Sequence, residues 1–139
     1  MREKVVTYFR DAIDGGNPEV LRDLFTHDCV IHRPEMEIRG IEPFVKFVER
    51  IPATFSRFET TILDIFGAED RLAVRLKHDV VVRDAIRSRL GTFKVSEREM
   101  RWDAIAIFRF EEGKIAEEWV SRDELGMLLS AGVISEEQR

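Results

Sequence analysis

Hydrophobic positions change their period once along this chain, and the change divides it in two. From Glu3 to Asp14, Val5, Val6, Phe9, Ala12 and Ile13 recur on one helical face, and Gly15-Gly16 supplies a left-handed stop. Asn17-Pro18 reads as the N-cap and first residue of a second helix, with Val20, Leu21, Leu24 and Phe25 as its buried stripe. The segment CVIHRP, residues 29–34, is short, rich in β-branched side chains and closed by proline, which predicts one strand ending in a turn. After Gly40, Phe44, Phe47, Val48 and Ile51 keep the helical period until Pro52 stops it.

From Phe58 onward the period is two. RFETTILDIF and RLAVRLKHDVVVR flank GAED, which predicts a hairpin. The stretch DAIRSRLGTFKVSERE holds a further strand and a loop, and MRWDAIAIFRF with KIAEEWVSR forms a second hairpin across EEGK. DELGMLLSAGV closes the pattern as a short helix with Asp123 at its cap. No repeat, linker or low-complexity tract interrupts residues 1–139, so a single domain is expected. Helices gathered in front of an antiparallel meander predict an α+β fold, a curved sheet wrapped round about three N-terminal helices.

Strand parity then assigns faces. Leu72, Val74, Leu76, His78, Val80 and Val82 share an apolar face, which places His78 among hydrophobic neighbours. Trp102, Ala104, Ala106, Phe108 and Phe110 share another, and its two alanines leave a gap that larger residues would fill. In the last strand Ala116, Glu118, Val120 and Arg122 fall on one face, and Ile115, Glu117, Trp119 and Ser121 on the other. Only one acid of the pair Glu117-Glu118 can therefore face inward, and parity selects Glu118. Ile105, Ile107, Ile115 and Trp119 lie on the opposite, outer face, an apolar patch that predicts a homodimer.

Composition narrows the function classes. A net charge of −5 argues against a general nucleic-acid binder, which needs clustered lysine and arginine. No apolar run approaches the roughly 20 residues that span a bilayer, so no membrane partner is expected. The opening MREK lacks the apolar core of a signal peptide, and a single cysteine, Cys29, fits a reducing compartment; both predict a cytoplasmic protein. Three histidines without a shared short spacing argue against a zinc site, and no cofactor is expected.

The tail GKIAEEWVSRDELGMLLSAG resembles the terminal signature of the SnoaL-like proteins, a branch of the nuclear-transport-factor-two-like superfamily. YFRDAIDGGNPEVLRDLFTHDCVIHRP resembles the same family's first two helices and first strand, and IRGIEPFVKFVERIPATFSRF its third helix. The resemblance covers nearly the whole chain. It implies a cone-shaped α+β barrel, a small-molecule pocket between sheet and helices, and frequent dimerisation through the outer face of the sheet.

Position by position, the family's catalytic groups are mostly absent. The resemblance puts the cyclases' acid/base aspartate at Val120 and their assisting histidine at Ala106. Epoxide hydrolases also place an aspartate near Val120, and ketosteroid isomerases an acid near Ala106 and their base about where Arg33 stands. Tyr8 alone sits where the isomerases keep their oxyanion tyrosine. The residues left over have two readings each. His32, at the family's pocket mouth, is either a base or a histidine satisfying backbone groups at a strand end. Glu118 is either an acid displaced two residues from Val120, with a raised pKa, or the ion-pair partner of Arg122 or Arg75. Trp102 is placed to line the pocket and orient a ligand through its indole N–H.

Two functions follow. In one, the pocket holds an uncharged or weakly polar, largely apolar small molecule without turning it over. In the other, a cofactor-free isomerase, cyclase or hydrolase moves protons on a carbonyl or epoxide compound. Glu118 or His32 is then the base, and Tyr8, Trp102 or His78 the donor. Tyr8, His78, Trp102, Ala104, Ala106 and Val120 would line the pocket in either case.

Overall fold

The first amphipathic face forms as its spacing predicts, but in two geometries. In the computed structural model, which describes residues 1–135, helix α1 (Arg2–Thr7) continues into a π-helical segment, Tyr8–Asp14. Val5, Tyr8, Phe9, Ala12 and Ile13 are buried, and Gly16, at φ +66°, takes the left-handed turn that follows. The second helix is shorter than its stripe suggests: a 3-10 turn (Pro18–Val20) leads into α2 (Leu21–Leu24). Phe25 then opens strand β1 (Phe25–His32), its ring packed edge-on against those of Tyr8 and Phe44. A short strand, β2 (Glu37–Arg39), pairs back onto β1. Helix α3 (Ile41–Glu49) buries Ile41, Phe44, Val45 and Val48. Pro52 does not end the helical run but opens another turn, α4 (Ile51–Thr54), where its missing N–H costs nothing.

The remaining chain is sheet. It runs β3 (Phe55–Ala68), β4 (Arg71–Val82), a separate hairpin of β5 (Ala85–Ser88) and β6 (Gly91–Lys94), then β7 (Arg98–Glu111) and β8 (Lys114–Arg122). Helix α5 (Glu124–Ser130) closes it, capped by the Asp123 carboxylate, which accepts the Gly126 N–H at 2.9 Å. The six-stranded sheet has the order β2-β1-β8-β7-β4-β3 and is curved over the helices. Its neighbours are antiparallel with one exception: β1 runs parallel to β8, against the wholly antiparallel expectation. Hairpins force reversal, whereas β1 reaches β8 through almost the entire chain and its direction is free.

Parity in β4 and β7 holds throughout: the predicted inner residues are buried, from Leu72 to Val82 and from Trp102 to Phe110. It fails at one point in β8. A register shift between Arg109 and Phe110 brings Ile115 opposite Phe110, so Ile115 and Ala116 are both buried. Ile115 therefore belongs to the core and not to the outer patch. Ile105 and Ile107 do remain exposed on that outer face.

Candidate functional site

Cross-strand register builds the floor of a pocket beneath the N-terminal helical segment. His78 stands beside Trp102; Leu76, Ala104 and Arg122 form the next rung, then Val74, Ala106 and Val120, then Leu72, Phe108 and Glu118. The two alanines leave the predicted gap. The resulting pocket, of about 100 Å³, is lined by Tyr8, His78, Trp102, Ala104, Ala106, Glu118 and Val120, as the sequence suggests. Arg33 and Arg122 line it too.

Glu118 is 2% exposed and accepts a hydrogen bond from the Tyr8 hydroxyl at 3.0 Å. Neither Arg122 nor Arg75 is its partner: Arg75 pairs with Asp64, and Arg122 with Glu35 and Glu124. Burial pushes the Glu118 carboxyl from 4.5 up to about 7, against the opposing pull of the Arg33 charge and the Tyr8 hydrogen bond. Burial and the neighbouring Glu118 charge hold the Tyr8 phenol well above its ordinary value, so it stays a neutral donor.

His78 is oriented by a chain of two hydrogen bonds. Thr60 gives both its backbone N–H and its hydroxyl to the Asp14 carboxylate, at 2.8 and 2.6 Å. Thr60 Oγ1 also lies 2.8 Å from His78 Nδ1. With its own proton committed to Asp14, the hydroxyl oxygen accepts from Nδ1–H, leaving Nε2 as an acceptor. Burial, with the charges of Arg33 and Arg122, pulls the imidazole down to about 3, so it is neutral. His78 is thus an acceptor in the pocket, not the donor expected from sequence.

His32 is not at the pocket. Alternation in β1 buries Cys29 and Ile31, and His32 faces the other way, opposite Trp119. There it stacks on the Trp119 ring at 5.4 Å between centroids, with Nε2 2.6 Å from Glu117 and Nδ1 2.9 Å from Glu37. Glu117 accordingly points outward, as parity requires, and it also accepts from Arg109. The pocket instead receives the next residue, Arg33. Burial raises the Cys29 thiol to about 11, consistent with a core residue.

Arg33, Asp14 and Thr60 are the site residues that sequence reasoning did not find. Arg33 carried a usable signal, since it shares the parity of Cys29 and Ile31. The other two are brought together only by packing of the π-helical segment on β3.

These features coincide with one family. The family model for SnoaL-like polyketide cyclase matches residues 3–130, and the chain belongs to that family. TsrD from Streptomyces laurentii is similar along its length, with 25% identity and a TM-score of 0.81 over 96% of this chain and 98% of that one. IdmH from Streptomyces antibioticus shares the fold at 22% identity and a TM-score of 0.75, over 94% of this chain and 97% of its own. So does an LEH-like epoxide hydrolase from M. tuberculosis, at 12% identity and a TM-score of 0.74, over 94% and 88%. A search of curated proteins returns no match. Among the described residues no helix is long and apolar enough to cross a membrane, and no cluster of side chains could hold a metal ion.

Proposed function

We propose that the pocket is a cofactor-independent active site in which Glu118 moves a proton at the carbon beside a carbonyl group of a small molecule. One observation supports this reading above the others: a carboxyl buried against apolar walls, free of any arginine ion pair, titrating near neutrality. In its carboxylate form Glu118 takes the proton from carbon, leaving an enolate. In its carboxylic acid form it returns the proton to the same or another carbon, which completes an exchange or an isomerisation. The Tyr8 hydroxyl holds the carboxyl in place, and the nearby Arg33 charge favours the negative charge that develops.

The test is solvent-deuterium incorporation next to the carbonyl of a simple ketone, methyl levulinate, followed by NMR across pH. The rate is expected to rise through about pH 7 and then level off, the titration of Glu118. No incorporation above the uncatalysed rate, or a rate without that inflection, removes the proposal. Ala106 and Val120, standing where the family's cyclases carry histidine and aspartate, favour a second reading as a binding protein, which would show saturable binding and no exchange.

The exposed Ile105 and Ile107 support assembly as a homodimer through the outer face. Light scattering at micromolar concentration is expected to give twice the chain mass, and charged substitutions at both isoleucines to halve it. A monomeric parent protein would end this part of the proposal.

A further inference from the structure

Arg122 closes β8 on the inner face, and its side chain is only 7% exposed. Its Nη2 lies 3.5 Å from Glu35 and 3.7 Å from Glu124, both through the same nitrogen. Nε is buried and has no hydrogen-bond partner among the described residues. Arg33, also on the pocket wall, gives its Nε–H to Glu35 at 2.6 Å, and its guanidinium rests 4.9 Å over the Phe47 ring. Glu124 is shared with Arg89. Each carboxylate beside Arg122 is therefore shared with a second guanidinium, Glu35 with that of Arg33 and Glu124 with that of Arg89.

A buried guanidinium N–H without an acceptor is costly, and so is a buried charge without its complement. The unpartnered N–H and the shared carboxylates belong to one side chain that lines the pocket, and an anion drawn against its guanidinium compensates for both. The surroundings select its type. The neighbouring wall is Trp102 and the alanine gap, with room for a small planar group. The planar guanidinium fork presents its N–H groups to the two oxygens of a carboxylate.

We infer that Arg122, assisted by Arg33, forms a carboxylate subsite, and that the molecule this pocket takes up is a small keto acid and not a neutral compound. The inference rests on the reading of the pocket as a site for a carbonyl compound. The carboxylate anchors one end of that molecule while its enolisable carbon faces Glu118. His78 Nε2, a bare acceptor, suits a hydroxyl or enol on the same molecule.

Levulinate and its methyl ester differ only in the charge that the subsite reads, so calorimetric titration with both is the test. Levulinate is expected to bind about tenfold more tightly than the ester, the worth of a charge-assisted hydrogen bond. Arg122→Gln is expected to erase the preference with little change in ester affinity. Arg122→Lys keeps the charge but loses Nε–H and the planar fork, and is expected to retain a few-fold preference; thermal unfolding of both variants checks their fold. Should the glutamine variant fail to fold, a full tenfold preference in the lysine variant overturns the inference. Equal affinities in the parent protein, no saturable levulinate binding, or a preference that survives Arg122→Gln overturn it as well. Deuterium exchange into the methyl ester is read separately. Its absence counts against proton transfer alone, and an absent preference counts against the subsite alone.

Discussion

Glu118→Gln is expected to lose the exchange activity and, above neutral pH, to be more stable than the parent protein. The loss follows from chemistry: glutamine cannot take a proton from carbon, and removing a general base costs about 10²- to 10⁴-fold in rate. The gain in stability follows from linkage. In the unfolded chain the carboxyl ionises near 4.5, but in the folded protein burial raises it to about 7. Between those values the folded state holds a proton that the unfolded state has released. Stability therefore falls as pH rises through this window, and the full penalty applies above it. A shift of this size corresponds to a penalty on the order of 3 kcal/mol. Glutamine is never charged and still offers an oxygen to the Tyr8 hydroxyl, so it escapes the penalty without opening a cavity. Denaturant unfolding at about pH 5 and about pH 8 should show the variant gaining much more at the higher pH. Equal stability at both would mean that Glu118 is not held in an apolar site.

Tyr8→Phe acts on the same carboxyl from the other side. The hydroxyl is the one hydrogen-bond donor to Glu118 among the described residues, and it favours the ionised form. Without it the charged carboxylate is buried and unpaired, which costs about 1–3 kcal/mol. The carboxyl responds by keeping its proton to a higher pH. The inflection of the exchange profile is therefore expected to move upward, and the fall in stability with pH to extend further into the alkaline range. At about pH 5, where Glu118 is protonated in both proteins, the two should differ much less. A profile that stays in place would show that Tyr8 contributes packing alone, which its ring contacts with Phe9, Phe25 and Phe108 supply in any case.

How far the sequence reveals this site depends on how unequal the two faces of each strand are. In β4 and β7 one face is apolar and the other carries charges, with Ile105 and Ile107 between them in β7, so alternation places His78, Trp102 and the two alanines correctly. In β1 the inequality is carried by few residues: Cys29 and Ile31 on one face, Val30 and His32 on the other. Parity alone sets Arg33 with the buried pair, and His32, the polar residue that looks catalytic, is the one pointing away. The shift in β8 is equally hidden, since Ile115 and Ala116 read as ordinary alternation. Glu118 could be placed inward from parity alone, but not its partner, because Tyr8 lies 110 residues earlier. The Asp14–Thr60–His78 chain joins a helical segment to two strands, and no spacing rule links the three. Pro52 misleads for a simpler reason: the ring that ends one helix is also suited to begin another.

The parallel pairing of β1 with β8 governs when the site comes into being. The β3–β4 and β7–β8 hairpins join near neighbours and can zip locally within microseconds. The β1–β8 ladder joins Val30 to Glu117 and must close a loop across most of the chain. Tyr8 and Glu118 meet only across that same closure, as do Arg33 and Arg122 at the far ends of the two strands. A chain that has formed all its hairpins but not this seam has most of its strands and no pocket. Recovery of ligand binding, rather than of secondary structure, marks the end of folding in this molecule.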